Sequence, residues 1–358
     1  MNVELSSTFT ENNIPICFSV DNNYAKYFSV ALQSIVENSS NENNYDMIVL
    51  AENISEKNQS LLLEQVNNRS NFNLRFVNIL NYTKNLPKDI FYTCAWYEKS
   101  TYYRFFIQDI LKAFDKVLYL DSDIVVLDDV AKLYNIELED NIAGVAKDIE
   151  MARYLNTSMK NRILAYHKKF GINDSSKYFQ AGVMLFNLRL MREQNIGQKL
   201  FEKLAEVKTP QCVDQDILNM VCFDKLKYFD TAWNIEWILL ARNHDLAKEL
   251  PQNIYAEFQE SLKEPKIIHY CDSIKPWNEK DLPLANYFWQ YAIKTPFYNA
   301  ILIGEKKTNK NNFLTTLKYI HFTLLSLATK GKAQRKYRDK RNNLKSQLRN
   351  VKGFSKIE

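Results

Sequence analysis

Over the first 270 residues, short apolar runs alternate with helix-patterned stretches, and that order commits the chain to an α/β fold with a mostly parallel sheet. Residues 14–20, 46–51, 74–79, 116–120, 142–146, 183–187 and 266–269 read as buried strands. Between them, 24–37, 55–66 and 101–111 carry helical spacing, with Ser55 placed to cap the second of these. After about residue 296 the pattern changes. Residues 313–328 put Phe313, Leu317, Ile320, Leu324 and Leu327 on one helical stripe, and a basic segment follows. The expected organisation is therefore a single nucleotide-binding domain over 1–295 and an amphipathic, helical, basic tail over 296–358.

A sheet of this kind usually binds nucleotides through glycine-rich loops, yet the chain holds only seven glycines in 358 residues, far below the usual share of about 7%. None are spaced to build a dinucleotide fingerprint or a P-loop, so any phosphorylated ligand must be held by a metal or by basic side chains. The net charge of +5 conceals an asymmetry: residues 330–358 carry eleven Lys/Arg against two acids, leaving the rest of the chain at −4. Five cysteines, odd in number and without a CxxC pair, suit a reducing compartment. The polar N-terminus has no signal-peptide pattern, and no apolar run approaches 18 residues.

The chemistry is concentrated in Lys116-Val117-Leu118-Tyr119-Leu120-Asp121-Ser122-Asp123-Ile124-Val125-Val126. Period-two alternation would point Asp121 and Asp123 the same way at a strand's C-terminal edge, where open α/β sheets bind ligands. Two carboxylates embedded between apolar triplets repel each other unless a cation sits between them, and Mn²⁺ or Mg²⁺ could do so beside a nucleotide diphosphate. The plainer reading is a solvated acidic turn. His269, ending an apolar run, is the candidate third ligand, and Lys275, six residues on, a candidate phosphate contact.

These residues fall in ordered blocks: Val20-Asp21-Asn22-Asn23-Tyr24-Ala25, Ser100-Thr101-Tyr102-Tyr103-Arg104, Asp121-Ser122-Asp123, Gln180-Ala181-Gly182-Val183, Asp214-Gln215-Asp216-Ile217-Leu218-Asn219, and His269-Tyr270-Cys271 with Lys275-Pro276-Trp277. Their order resembles that of the retaining nucleotide-sugar glycosyltransferases of family eight, which include bacterial lipopolysaccharide galactosyl- and glucosyltransferases and glycogenin. The resemblance covers roughly three quarters of the chain and implies a GT-A-like fold. It implies that Asp21 and Asn23 meet the uracil end of UDP, and that Arg104 bridges sugar and phosphate. Asp121, Asp123 and His269 would ligate Mn²⁺, with Ser122 between the two acids, and Lys275 would hold the diphosphate. Asp148, Gln180, Asp214 and Gln215 would contact the donor sugar and the reacting face. Structural roles compete at several positions: Asp21 as a helix cap, Arg104 as a packed ion pair, Asp214 as the cap of a helix over 217–221, and Asp148 as a loop acid. Two residues depart from the family pattern, Gln180 where Asn is usual and Asp272 where Gly is usual; Asp272 is expected to turn away from the phosphates.

What the resemblance implies for function is metal-dependent transfer of galactose or glucose from a UDP-sugar, with retention of configuration, to a lipopolysaccharide or oligosaccharide hydroxyl. Retention follows either from a double displacement, with Asp214 a better nucleophile than Gln215, or from front-face attack. Since nothing in the sequence fixes Asp214 beneath the ring, the front-face route is favoured. A self-glucosylating primer like glycogenin and a non-catalytic UDP-sugar binder are the alternatives. The basic tail suits an anionic membrane surface rather than nucleic acid, because few aromatics interleave its charges. The expected location is the cytoplasm, peripheral on the inner face of the membrane.

Overall fold

In the strand reading, every residue of 14–20 is apolar or small, and the computed structural model shows why: this segment lies at the centre of a sheet covered on both faces. The structure describes residues 5–84, 86–87, 90–93, 98–242, 245–304, 318, 321–323, 325 and 331–351. The strands are β1 (Asn13–Ser19), β2 (Asn44–Ala51), β3 (Phe72–Asn78), β4 (Lys116–Leu120), β5 (Ile124–Val126), β6 (Ala143–Lys147), β7 (Phe179–Asn187), β8 (Leu226–Tyr228), β9 (Ile235–Glu236) and β10 (Ile267–His269). Seven of them form a sheet in the order β3-β2-β1-β4-β7-β6-β8, and three form a small sheet, β5-β10-β9. In the large sheet, β7 runs antiparallel to both β4 and β6, and the other pairs are parallel.

Alternation along β1 divides the core. Ile14, Ile16 and Phe18 pack under one layer with Phe28, Ala31 and Ile35 of the helix Ala25–Asn38, while Cys17 faces the other layer with Ile48, Tyr119 and Leu218. The first layer also takes in Phe297 and Ile301. Ser55 caps the helix Glu56–Glu64 as expected, accepting from the Asn58 N–H at 3.3 Å.

Strand order reverses between β1 and β4: the chain first winds outward through β2 and β3, then returns to add β4 on β1's other side. The C-terminal ends of β1 and β4 therefore open a crevice, the topological switch point at which such sheets bind ligands.

Three elements differ from the sequence reading. Residues 101–111 are not one α-helix but a 3₁₀ stretch, Lys99–Phe106, followed by a single α-turn, Ile107–Ile110. Five consecutive buried residues, Tyr102 to Phe106, are too many for one amphipathic face, and the tighter winding distributes them around the axis. The apolar run after Asp123 leaves the large sheet and becomes β5, pairing antiparallel with β10. Strand β7 begins four residues earlier than expected, and its register with β6 jumps from Val145↔Met184 to Ala146↔Gln180, so Ala181, Gly182 and Val183 bulge out of that ladder. The amphipathic stripe expected over 313–328 lies mostly outside the described residues, while the basic segment that follows is helical over Gly331–Val351. Among the described residues no helix is long and apolar enough to cross a membrane.

Candidate metal and nucleotide-diphosphate site

The chain bends sharply at Asp121-Ser122-Asp123 as it passes from β4 to β5, and this bend brings the two carboxylates together; neither residue is in a strand. His269 arrives from the far end of the sequence through strand register. Ile124 pairs with His269, and the Tyr270 N–H donates to the Asp123 carbonyl at 2.9 Å.

Each aspartate uses one oxygen to hold a protein cation and turns the other toward the imidazole. Asp121 Oδ1 accepts from Arg104 at 2.8 Å and from the Tyr119 hydroxyl at 3.1 Å, while Asp121 Oδ2 lies 3.6 Å from His269 Nε2. Asp123 Oδ2 accepts from Lys275 Nζ at 2.5 Å, while Asp123 Oδ1 lies 3.4 Å from His269 Nε2. His269 Nδ1 faces Asn234 Oδ1 at 3.1 Å. Asn234 donates its NH₂ to Gln180 Oε1 at 2.9 Å, so its oxygen is the acceptor and the imidazole proton sits on Nδ1. That tautomer leaves the Nε2 lone pair facing the two free carboxylate oxygens. The three donor atoms lie within 4.8 Å of one another, and two carboxylates with one imidazole are a donor set suited to a divalent cation such as Mn²⁺.

Electrostatics reinforce the geometry. Burial pushes the Asp123 carboxyl up, but the Lys275 ammonium beside it pulls it well below the usual carboxylate range. Lys275, itself buried, is held above its ordinary value by Asp123 and Tyr24 against the cost of burial. Arg104 is 3% exposed and stacks over the Tyr119 ring at 4.2 Å, with burial offset by Asp121 and Asp214. Arg104 is thus a packed ion pair, and it stands on the wall of the crevice.

Ten of the twelve residues singled out from sequence line this crevice; Asn23 and Asp148 do not. Asp21 Oδ1 accepts from the Asn23 and Tyr24 N–H groups at 2.6 and 2.9 Å, capping the turn into the first helix, and the Asn23 side chain is exposed. Asp148 sits behind Gln215: it caps the helix Ile149–Tyr154 through the Met151 N–H and accepts from Gln215 Nε2 at 2.7 Å. Gln215 in turn accepts from the Ala181 N–H at 3.0 Å, so its amide is fixed at both ends.

Asp214 is not a helix cap. It lies in the first turn of the helix Val213–Cys222, reached through Val213 at φ +40°, a costly conformation for a β-branched residue that aims the carboxylate inward. Its Oδ1 accepts from the Thr101 hydroxyl, and its Oδ2 lies 2.9 Å from Arg104 Nε, whose N–H is directed to the Thr101 carbonyl instead. Asp214 Oδ2 is consequently buried with no hydrogen-bond donor, and burial, opposed by Arg104, pushes this carboxyl up to about 6.

The two departures from the family pattern have local explanations. The extra methylene of Gln180 lets its carbonyl oxygen curl back onto the Gly182 N–H at 2.6 Å as well as meeting Asn234, so only its NH₂ remains to face the crevice. Asp272 turns its carboxylate onto Arg242 and the Ser273 N–H.

Sequence reading missed Asn234 and Asp216. Asp216 accepts from Tyr166, Tyr178 and the N–H groups of Gln211 and Cys212 at 2.6–3.0 Å, which pins the approach to Asp214. Its place in the Asp214-Gln215-Asp216 block was a signal, whereas nothing marked Asn234.

Among solved structures, the WbbM bifunctional glycosyltransferase in its apo form superposes with a TM-score of 0.75 at 29% identity, over 84% of this chain and 53% of that one. The galactosyltransferase LgtC in complex with donor and acceptor sugar analogs matches with a TM-score of 0.64 at 26% identity, over 79% of this chain and 96% of that one. The lipopolysaccharide 1,3-galactosyltransferase of Salmonella typhimurium (strain LT2) is 28% identical over 227 residues, 62% of this chain and 60% of its own length. The fold is accordingly GT-A-like, and with residues 15–281 matching the family model "Glycosyl transferase family 8", the chain belongs to that family.

Proposed function

We propose that this chain transfers a hexose, galactose or glucose, from a UDP-sugar to a hydroxyl of a lipopolysaccharide-type glycolipid or oligosaccharide, with retention of anomeric configuration. The observation that carries the reading is the arrangement of Asp121 Oδ2, Asp123 Oδ1 and His269 Nε2 between two buried cations, Arg104 and Lys275. The two aspartates are already balanced by the two cations, so the charge of a bound Mn²⁺, or Mg²⁺ in its place, would be left to oppose a diphosphate. When bound, the cation would supply electrophilic charge to the departing UDP.

The chain's own residues would do the rest. Lys275 and Arg104 stand where negative charge grows on the leaving group, a preorganised stabilisation that needs no proton donor with a raised pKa. Asp214 Oδ2, lacking a donor, is ready to accept from a donor-sugar hydroxyl, and Gln215 presents a fixed amide beside it. With Gln215 so held and Asp214 tied to Thr101 and Arg104, neither is free to advance as a nucleophile, which favours front-face attack. Asp21 stays a candidate for the uracil end while bracing the turn that leads into the first helix.

The acceptor class draws on relatives described as lipopolysaccharide galactosyl- and glucosyltransferases. The basic helix Gly331–Val351 suits attachment to anionic lipid, which would hold the catalytic domain at the inner face of the cytoplasmic membrane.

The test is a panel of radiolabelled UDP-galactose and UDP-glucose against lipopolysaccharide core fragments with Mn²⁺. Transfer of one hexose to an exogenous fragment is expected. Hexose bound without UDP release, or label appearing on a tyrosine of the chain itself, would replace this reading with a binding or self-glucosylating one.

A further inference from the structure

Between His269 and Lys275 the chain places a carboxylate at Asp272, on the wall of the crevice read here as the diphosphate site. Its backbone is at φ +71°, a conformation that suits glycine and that only short polar residues such as Asn and Asp adopt readily. Asp272 meets the backbone requirement by folding its side chain onto the Ser273 N–H. A free negative charge at this point would nonetheless oppose any phosphate held by Lys275.

The structure deals with that charge through Arg242. One nitrogen of its guanidinium holds Asp272 Oδ2, and the other holds Glu150 Oε1 at 2.9 Å and approaches the Tyr154 hydroxyl at 3.4 Å. Glu150 is gripped in two-pronged fashion by Arg153 at 2.7 and 2.8 Å, and Arg153 reaches Glu249 at 2.5 Å. The result is an alternating row, Glu249–Arg153–Glu150–Arg242–Asp272, whose last member borders the crevice. Both ends of the Arg242–Asp272 pair are largely buried, with side chains 11% and 17% exposed. Arg242 itself is not on the crevice wall.

We infer that Arg242 is a positioning residue for anionic ligands: by pairing with the Asp272 carboxylate at the crevice wall, it keeps the His269–Lys275 loop receptive to a diphosphate. The inference deepens the proposed function and rests on a nucleoside diphosphate being the ligand. It also separates charge from shape, because Asn at position 272 keeps the backbone conformation and removes the repulsion.

The experiment measures UDP and uridine affinity by calorimetry in Mn²⁺ for the parent chain, Arg242→Gln, Asp272→Asn and the double variant, with thermal unfolding to check folding. Arg242→Gln is expected to weaken UDP roughly tenfold, as an unneutralised carboxylate near phosphate would, and to leave uridine unchanged. Asp272→Asn should bind UDP at least as well as the parent, and the double variant should regain parental affinity. Equal loss for UDP and uridine in Arg242→Gln, a double variant as weak as that single one, or an unchanged Arg242→Gln would overturn the inference alone. Weak UDP binding by Asp272→Asn would do the same, since the carboxylate would then be a contact. A parent chain that binds no UDP would overturn the functional reading beneath it as well, visibly and before any variant is made.

Discussion

Gly182 is the position at which a single methyl group tests the site's geometry most sharply. It lies on the β7 bulge, and its carbonyl accepts from the Asp121 N–H at 2.7 Å. A Cβ built there would fall against His269 Cε1, 2.7 Å from His269 Nδ1 and 2.8 Å from Asp121 Oδ2. Two of the three proposed ligands would have to move at once, and both are held by partners. The His269 ring is 1% exposed and tied to Asn234, while Asp121 is held by Arg104 and Tyr119. Overpacking of this kind costs about 1–3 kcal/mol, or roughly 2–5 °C in Tm for a domain of this size. Displacing both ligands should weaken Mn²⁺ binding at least about tenfold, in line with disturbed metal-ligand orientation elsewhere. Mn²⁺ titration of Gly182→Ala followed by electron paramagnetic resonance, alongside thermal unfolding, separates the two effects. A variant with parental Mn²⁺ affinity would refute the placement of these side chains.

Asn234→Leu should lower Mn²⁺ affinity about 10–100-fold by releasing the imidazole tautomer; an unchanged titration would show that Asn234 does not orient His269. Asp214, whose carboxyl is raised to about 6 from 3.8, makes a pH-dependent contribution to stability: favourable below pH 4 and lost as pH rises through 6, by about 3 kcal/mol in all. The stability of Asp214→Asn relative to the parent should therefore rise between pH 4.5 and 7 in urea unfolding, and a pH-independent difference would contradict the burial argument. Truncation after residue 329 should leave transfer to soluble fragments intact and reduce flotation with anionic vesicles, each basic residue contributing about 1 kcal/mol near the surface. Undiminished flotation would remove the anchor.

The sheet was legible because a doubly covered strand has to be apolar through its interior, as β1 is over Ile14–Phe18 and β4 over Val117–Leu120, and few other elements share that pattern. The acid pair was legible because carboxylates flanked by Leu120 and Ile124 are costly without a partner. What could not be read was anything set by register or by a bend. Asp121 and Asp123 converge through a turn between two sheets, not through strand alternation, and β5 and β9 are too short to announce themselves. Asn234 precedes a two-residue strand, and its role exists only because β9 and β10 pair in one register. Arg242 and Asp272 lie thirty residues apart, and their pairing follows from tertiary packing that no local pattern encodes.

The central claim is that a divalent cation binds between Asp121, Asp123 and His269 and faces the diphosphate of the donor. Crystals grown with Mn²⁺ and UDP, measured at a wavelength where manganese scatters anomalously, address it directly. The account predicts one anomalous peak among these three side chains, with the UDP phosphates on its open side beside Lys275. A peak elsewhere, or UDP bound in the crevice with no peak at the three ligands, would contradict it.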